Sequence, residues 1–159
     1  MNVSLQEIDP ENFRRCINMT VADGQEKFVA SNVMSIAQSK IYPYLIPLAV
    51  YFGDEIVGFL MYERDPETGQ FWLARLMIDA PQQGKGYGKS ATRALIEKLS
   101  LLPDCAEIFL SFVPENLKAE KLYLNLGFEK TGETSEDGET IMRFVINKST
   151  DNRPPTTDN

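Results

Sequence analysis

Between an apolar run, Phe71 to Ile78, and a stretch of helical periodicity, Ser90 to Leu102, the chain reads Gln83-Gly84-Lys85-Gly86-Tyr87-Gly88-Lys89. Three alternating glycines at a strand-to-helix junction let the backbone turn sharply and come close to a ligand. The same junction aims unpaired N–H groups and the positive end of a helix dipole at one point. Such a point binds phosphate. A chain with this junction is therefore expected to be an α/β protein whose ligand carries phosphate, and the glycine spacing narrows which one.

The P-loop needs a glycine five positions before its Gly-Lys-Ser/Thr. Gly88-Lys89-Ser90 supplies the second half, but position 83 is Gln and Gly84 comes one residue late. The dinucleotide fingerprint needs glycines at intervals of two and three. Gly84 and Gly86 fit, but the next position in phase is Lys89. Both patterns miss by one residue, which leaves Gln-x-x-Gly-x-Gly at Gln83, Gly86 and Gly88. A second segment lies downstream: Asn116, then Ala119, Tyr123 and Gly127-Phe128. Together, in this order and separation, the two segments resemble the pyrophosphate loop and the tyrosine segment of the GNAT superfamily of acetyl-CoA-dependent N-acetyltransferases. The resemblance covers roughly residues 1 to 146, and its specific part runs from Phe71 to Phe128.

Composition is compatible with this. The 159 residues suit one domain, 1–146, followed from Asn147 by a polar, proline-containing tail expected to be disordered. No run approaches the roughly 20 apolar residues of a membrane span, and no basic-then-apolar leader opens the chain. A cytoplasmic location is the expectation, with Cys16 and Cys105 as free thiols. Histidine is absent, which removes Ser-His-Asp triads, Cys-His dyads and His-ligated zinc, and the two cysteines form no metal spacing. Any acid or base must be Glu, Asp, Tyr, Lys or Cys. A net charge of −7 disfavours nucleic acid and is weakly consistent with a cationic small molecule, although acidity for solubility alone is the commoner explanation.

Along the chain, residues 3 to 8 read as a strand and Asp9-Pro10 as a helix entry, with Phe13, Cys16, Ile17 and Thr20 on one face. Apolar residues at helical period from Phe28 to Ala37 predict a second helix, ended by Tyr42-Pro43 and Pro47. Strands are predicted at Leu48–Phe52, Ile56–Tyr62, Phe71–Ile78 and Ile108–Val113, and finally at Phe128–Gly132 and Thr140–Ile146. Asn116 is placed to cap a helix whose inner face is Ala119, Leu122, Tyr123 and Leu126, with Gly127 as its left-handed C-terminal cap.

The resemblance implies a mixed, mostly antiparallel sheet of about six to seven strands, flanked by about four helices. The strands at Phe71 and Ile108 would run parallel and splay apart. Acetyl-CoA, the co-substrate, would lie in the splay, its pantetheine arm paired with the backbone of Leu76, Met77 and Ile78. Its pyrophosphate would rest on Gln83, Gly84, Lys85, Gly86, Tyr87, Gly88, Lys89 and Ser90, and Asn116 would touch the arm. Tyr123 matches the family's general acid. A phenol of pKa ~10 can protonate a leaving thiolate while staying neutral itself. Without that context, Tyr123 reads as a core tyrosine and Asn116 as a helix cap.

An alkylammonium of pKa roughly 10.4 leaves on the order of one molecule in a thousand with a free lone pair at neutral pH, so a proton acceptor is needed. Polyamine-acetylating relatives often carry an acidic residue in the middle of the strand before the glycine loop; here that position is Ala74, followed by Arg75. Glu63 is one candidate substitute base and Glu26 another, each read without that context as an ordinary surface carboxylate, and Glu26, Tyr42 and Arg75 are the substrate-side residues. The segment Gln25 to Asn32, Tyr42-Pro43 and Val57-Gly58-Phe59 with Met61 are similar to bacterial spermine/spermidine acetyltransferases. Polyamines are thus the first expectation for the acceptor. A peptide or lysine acceptor, a non-catalytic acetyl-CoA module and a P-loop-like nucleotide binder are the alternatives. Relatives are often dimers, with the last strand and the sheet edges as the route.

Overall fold

The computed structural model describes residues 1–147. Its strands are Ser4–Glu7 (β1), Leu45–Phe52 (β2), Glu55–Arg64 (β3), Phe71–Ile78 (β4), Glu107–Phe112 (β5), Glu129–Thr134 (β6) and Thr140–Val145 (β7). Its helices are Phe13–Asn18 (α1), Asn32–Ile41 (α2), Tyr87–Ser100 (α3) and Leu117–Leu126 (α4). The strands form one sheet in the order β1-β2-β3-β4-β5-β7-β6. Every neighbouring pair is antiparallel except β4 with β5. The mixed, mostly antiparallel α/β architecture expected from the sequence is present. Beyond Asn147, the expected tail lies outside the described residues.

Both faces of the sheet are covered, because the central strands are apolar on both sides. In β3, Val57 and Leu60 enter one core together with Leu95 and Leu99 of α3 and Tyr123 of α4. Ile56, Phe59 and Met61 enter the other, with Cys16 of α1 and the partly buried Ile36 of α2. Phe59, Leu60 and Met61 are each fully buried, and burial of such a side chain stabilises by roughly 1.5–3 kcal/mol. These two cores clamp β3 and β4 from opposite sides, so the middle of the sheet is the rigid part on which a site can be built.

Parallel pairing of β4 with β5 is short. Only Phe71↔Ile108 and Trp72↔Phe109 are in register, and the strands then part. A β-bulge falls just there. Met61 pairs with Arg75 and the next residue, Tyr62, with Leu73, so Ala74 is the extra residue of β4. A bulge bends its strand and increases local twist. From Leu73 to Ile78, β4 is held by β3 alone and leaves its other backbone edge without a strand partner in the middle of a sheet.

Three sequence expectations are corrected. The second helix starts at Asn32, not near Phe28, because Ser31 caps it by accepting the Met34 N–H at 3.1 Å. Phe28 and Val29 are partly buried by tertiary contacts of a loop, which mimics helical periodicity. Pro47 ends no helix; it lies inside β2, just past the last residue paired with β1, where a missing N–H is tolerated. The last strand, β7, lies inside the sheet between β5 and β6. The edges are β1 and the polar, irregular β6, so β7 offers no open edge to a second copy.

Candidate active site

The glycine loop and the first turn of α3 stand at the open end of β4. Gly84 and Gly86 have φ of 78° and 86°, in the left-handed region that other residues adopt at a cost. Gly86 is the residue before the helix, and the first helical bond of this turn runs from Ser90 N–H to the Gly86 carbonyl. The N–H groups of Tyr87, Gly88 and Lys89 therefore point off the helix end without an intrahelical partner. Gly88 is helical, and its role is spatial: a Cβ there would sit 3.7 Å from Leu122 and 3.8 Å from Ile78, narrowing the gap between β4 and α4.

The side chain of Gln83 is engaged on the protein itself. Its amide Nε2 donates to the Ile78 carbonyl at 3.0 Å and to Gln25 Oε1 at 2.9 Å, tying the end of β4 to the loop between α1 and α2. A second tie lies beside it. Asp79, almost fully buried, accepts from Arg15 Nη2 at 2.6 Å and from the Thr20 N–H at 3.1 Å.

Tyr123 is set by its own helix end. Gly127, at φ 100°, closes α4 with its N–H on the Leu124 carbonyl, while the Phe128 N–H bonds the Tyr123 carbonyl at 3.0 Å. This is the Schellman arrangement. Phe128 then packs edge-on against the Tyr123 ring, centroids 5.5 Å apart, and Phe112 of β5 lies at 6.5 Å. The Gly-Phe pair thus fixes both the backbone and the ring of the tyrosine. Burial holds the phenol above its ordinary pKa, so it stays protonated through the physiological range. Asn116 caps the other end of α4 by accepting the Ala119 N–H at 3.2 Å.

A cavity of about 1150 Å³ fills the splay. Leu76, Met77, Ile78, Gln83, Gly84, Gly86, Tyr87, Gly88, Lys89, Asn116 and Tyr123 all line it, as do Glu26 and Arg75. Lys85 and Ser90 are not among its lining residues; Lys85 Nζ instead bonds Gln82 Oε1 at 2.9 Å. A smaller cavity, about 330 Å³, holds Glu63 and Tyr42 with Tyr44, Trp72 and Gln38. Leu73, Ala74, Arg75 and Ser111 line both, so the two spaces meet where β4 leaves β5.

In the smaller cavity, partial burial raises the Glu63 carboxyl above the usual carboxylate range; Asp65 adds to this and the Arg75 guanidinium pulls it back. Arg75 donates to the Ala74 carbonyl at 3.0 Å and to Gln38 Oε1 at 3.3 Å, while its Nε is buried without a partner among the described residues. Sequence reasoning missed Gln38, Tyr44, Trp72, Ser111 and Glu139. None belongs to a motif, and only strand alternation hinted that Ser111 turns away from the core of Leu110 and Phe112. Among the described residues, no group of three or more Cys, Asp or Glu could hold a metal ion, and no helix is long and apolar enough to cross a membrane.

A bent central strand with a free inner edge, a helix N-terminus at its end and a buried phenol across the gap describe an acyl-CoA-type transferase site. The profile described as the acetyltransferase (GNAT) family matches residues 11–128, and the chain belongs to that family as an N-acetyltransferase. It is 32% identical over 148 residues to the spermine/spermidine N(1)-acetyltransferase of Bacillus subtilis strain 168, covering 89% of this chain and 97% of that protein. It is 31% identical over 134 residues to the aminoglycoside N(6')-acetyltransferase type 1 of Klebsiella pneumoniae, covering 77% of this chain and 63% of that protein. In fold it is similar to aminoglycoside acetyltransferase AAC(6')-Ib in complex with coenzyme A, TM-score 0.77 at 21% identity over 91% of this chain and 95% of that one. It is also similar to the Vibrio cholerae spermidine N-acetyltransferase in complex with CoA and spermine, TM-score 0.71 at 15% identity over the same shares.

Proposed function

We propose that this chain transfers the acetyl group of acetyl-CoA to a primary amine of a small cationic molecule, a polyamine before other acceptors. The observation that carries the reading is the junction of two unequal cavities at Leu73, Ala74, Arg75 and Ser111. The larger suits a long phosphorylated thioester. Leu76, Met77 and Ile78 offer backbone N–H and C=O groups in strand geometry, and the first turn of α3 offers N–H groups for a pyrophosphate. Lys89 adds positive charge at the same end. The smaller cavity suits an alkylammonium, since Tyr42, Tyr44 and Trp72 provide aromatic walls and Glu63 a carboxylate.

Tyr123 acts on the leaving sulfur. A phenol is a weaker acid than a thiol and burial widens the gap, so it first donates a hydrogen bond. Full transfer becomes favourable only as the phenolate is refilled, and the second proton shed by the attacking nitrogen can refill it. Arg75 is tethered to Gln38 and to its own strand, and its positive charge favours the ionised form of Glu63 at the wall of the acceptor cavity. Similarity to the Bacillus subtilis spermine/spermidine enzyme supports a polyamine, and similarity to the Klebsiella enzyme makes aminoglycosides the next acceptors to try.

Thiol release from acetyl-CoA, measured with spermidine, spermine, amino acids and aminoglycosides in turn, tests the reading. Turnover is expected with spermidine or spermine. Tight CoA binding with no turnover on any of these amines would reject it.

A further inference from the structure

One carboxylate beside the cavity junction has no role in the acetyl transfer proposed for this chain, and any role for it rests on that transfer taking place there. Glu139, the residue before β7, lines the larger cavity. Its Oε2 accepts a 2.6 Å hydrogen bond from the hydroxyl of Ser111, a residue that lines both cavities. Ser111 pairs with Ile141 across the β5–β7 ladder. Glu139 is two residues before Ile141, so it is the diagonal neighbour of Ser111 on the same face of the sheet.

The turn that presents Glu139 is closed in both directions. Its N–H donates to Ser135 Oγ at 3.1 Å, and its carbonyl accepts the Ser135 N–H at 2.9 Å. With Oε2 held by Ser111, Oε1 is left without a hydrogen bond among the described residues. The other carboxylate at the acceptor side, Glu63, lies under the opposing field of Arg75. Ala74 has no proton-accepting side chain. Glu139 is thus the carboxylate that a hydrogen bond fixes to the junction itself.

We propose that Glu139 is the catalytic residue that takes the proton from the acceptor ammonium, and that Ser111 is its positioning residue. The ammonium gives one proton to the Glu139 carboxylate, directly or through one water. The freed nitrogen forms the C–N bond to the thioester carbon, and the C–S bond breaks with its electron pair on sulfur. The sulfur takes the Tyr123 proton, and the second proton lost by the nitrogen restores the phenol. Glu139 sheds its proton to solvent, so the products are the amide, CoA thiol and one proton.

The test uses the full chain with a series of primary amines, from strongly basic alkylamines to weakly basic ones already neutral at the assay pH. Glu139→Gln is expected to lower kcat/KM for the alkylamine by about 10²-fold. The loss should shrink toward none for the weakly basic amines, which a merely structural role would not do. CoA affinity and melting temperature should stay unchanged. Ser111→Ala should lose activity in the same graded way, and Ser111→Thr, which keeps the hydroxyl, should recover it. These two keep the test decisive if Glu139→Gln fails to fold. An equal loss for strong and weak bases, or a Gln variant within twofold of the unmodified chain, would overturn the assignment while leaving the acetyltransferase reading in place. Failure of the unmodified chain to turn over any amine would overturn both.

Discussion

Gly58 lies behind the proposed acyl-donor site, and Gly58→Ala is the sharpest test of how rigidly the splay is held. Gly58 of β3 faces Ile78 of β4 in the ladder. A Cβ built on it would lie 2.5 Å from the Met77 carbonyl oxygen and 2.7 Å from Ile78 Cδ1. The Ile78 methyl can swing aside. The carbonyl cannot, because Met77 belongs to a hydrogen-bonded strand whose side chain is locked in the second core. Ordinary contact begins near 3.4 Å, so β4 must retreat by almost an ångström or β3 must twist. Overpacking of this kind costs about 1–3 kcal/mol. At roughly 2–4 °C per kcal/mol for a domain of this size, a melting temperature lower by about 4–8 °C is expected for a 2 kcal/mol loss. Met77 is also one of the residues assigned to pair with the pantetheine arm, so CoA affinity should fall with stability. Thermal unfolding followed by circular dichroism, with and without CoA, reads both effects. A variant melting within a degree of the parent and binding CoA equally well would refute the idea that the β3 backbone sets the position of β4.

Tyr123→Phe removes the proton donor and keeps the ring packed against Phe112 and Phe128. Thiol release should drop about 10²–10⁴-fold while calorimetry finds CoA affinity within a few fold of the parent; unchanged turnover would remove Tyr123 from the chemistry. The raised pKa of Glu63 has a definite sign: the carboxylate forms only at a pH above the usual range, so KM for a cationic acceptor should fall as pH rises through that window. In Glu63→Gln that limb should vanish, and persistence of the limb would locate it elsewhere. Asp79→Ala strips Arg15 and the Thr20 N–H of their shared, nearly buried acceptor. A loss of about 1–3 kcal/mol in denaturant unfolding is expected, and no loss would mean that water replaces the carboxylate.

Much of the donor side was legible in the chain alone, because its signals are local. Alternating glycines after an apolar strand mark a turn that needs positive φ, and Gly84 and Gly86 adopt it. Asn116 and Gly127 are cap residues at fixed offsets, and they bracket the helix that carries Tyr123 whatever the rest of the chain does. Periodicity also supplied most elements, failing where tertiary burial imitated a helix at Phe28 and Val29. The acceptor side was barely legible. Glu63 was singled out as a carboxylate on the neighbouring strand and Tyr42 through the resemblance, but nothing nearby in sequence announces that the Arg75 charge acts on Glu63 or that Trp72 joins them.

Local chemistry, a backbone sign at a glycine or a side-chain oxygen at a helix end, depends on a few consecutive residues and is written in their order. That much pointed to a glycine turn suited to phosphate, a capped tyrosine helix and the family to which they belong. The parting of β4 from β5, the bulge at Ala74, the inward turn of Gln83 toward Gln25 and the bond between Ser111 and Glu139 join residues up to 58 positions apart. Such contacts exist only once strand register and both cores are set, since a shift of one residue in pairing would send the strand side chains among them, Ala74 and Ser111, to the other face of the sheet.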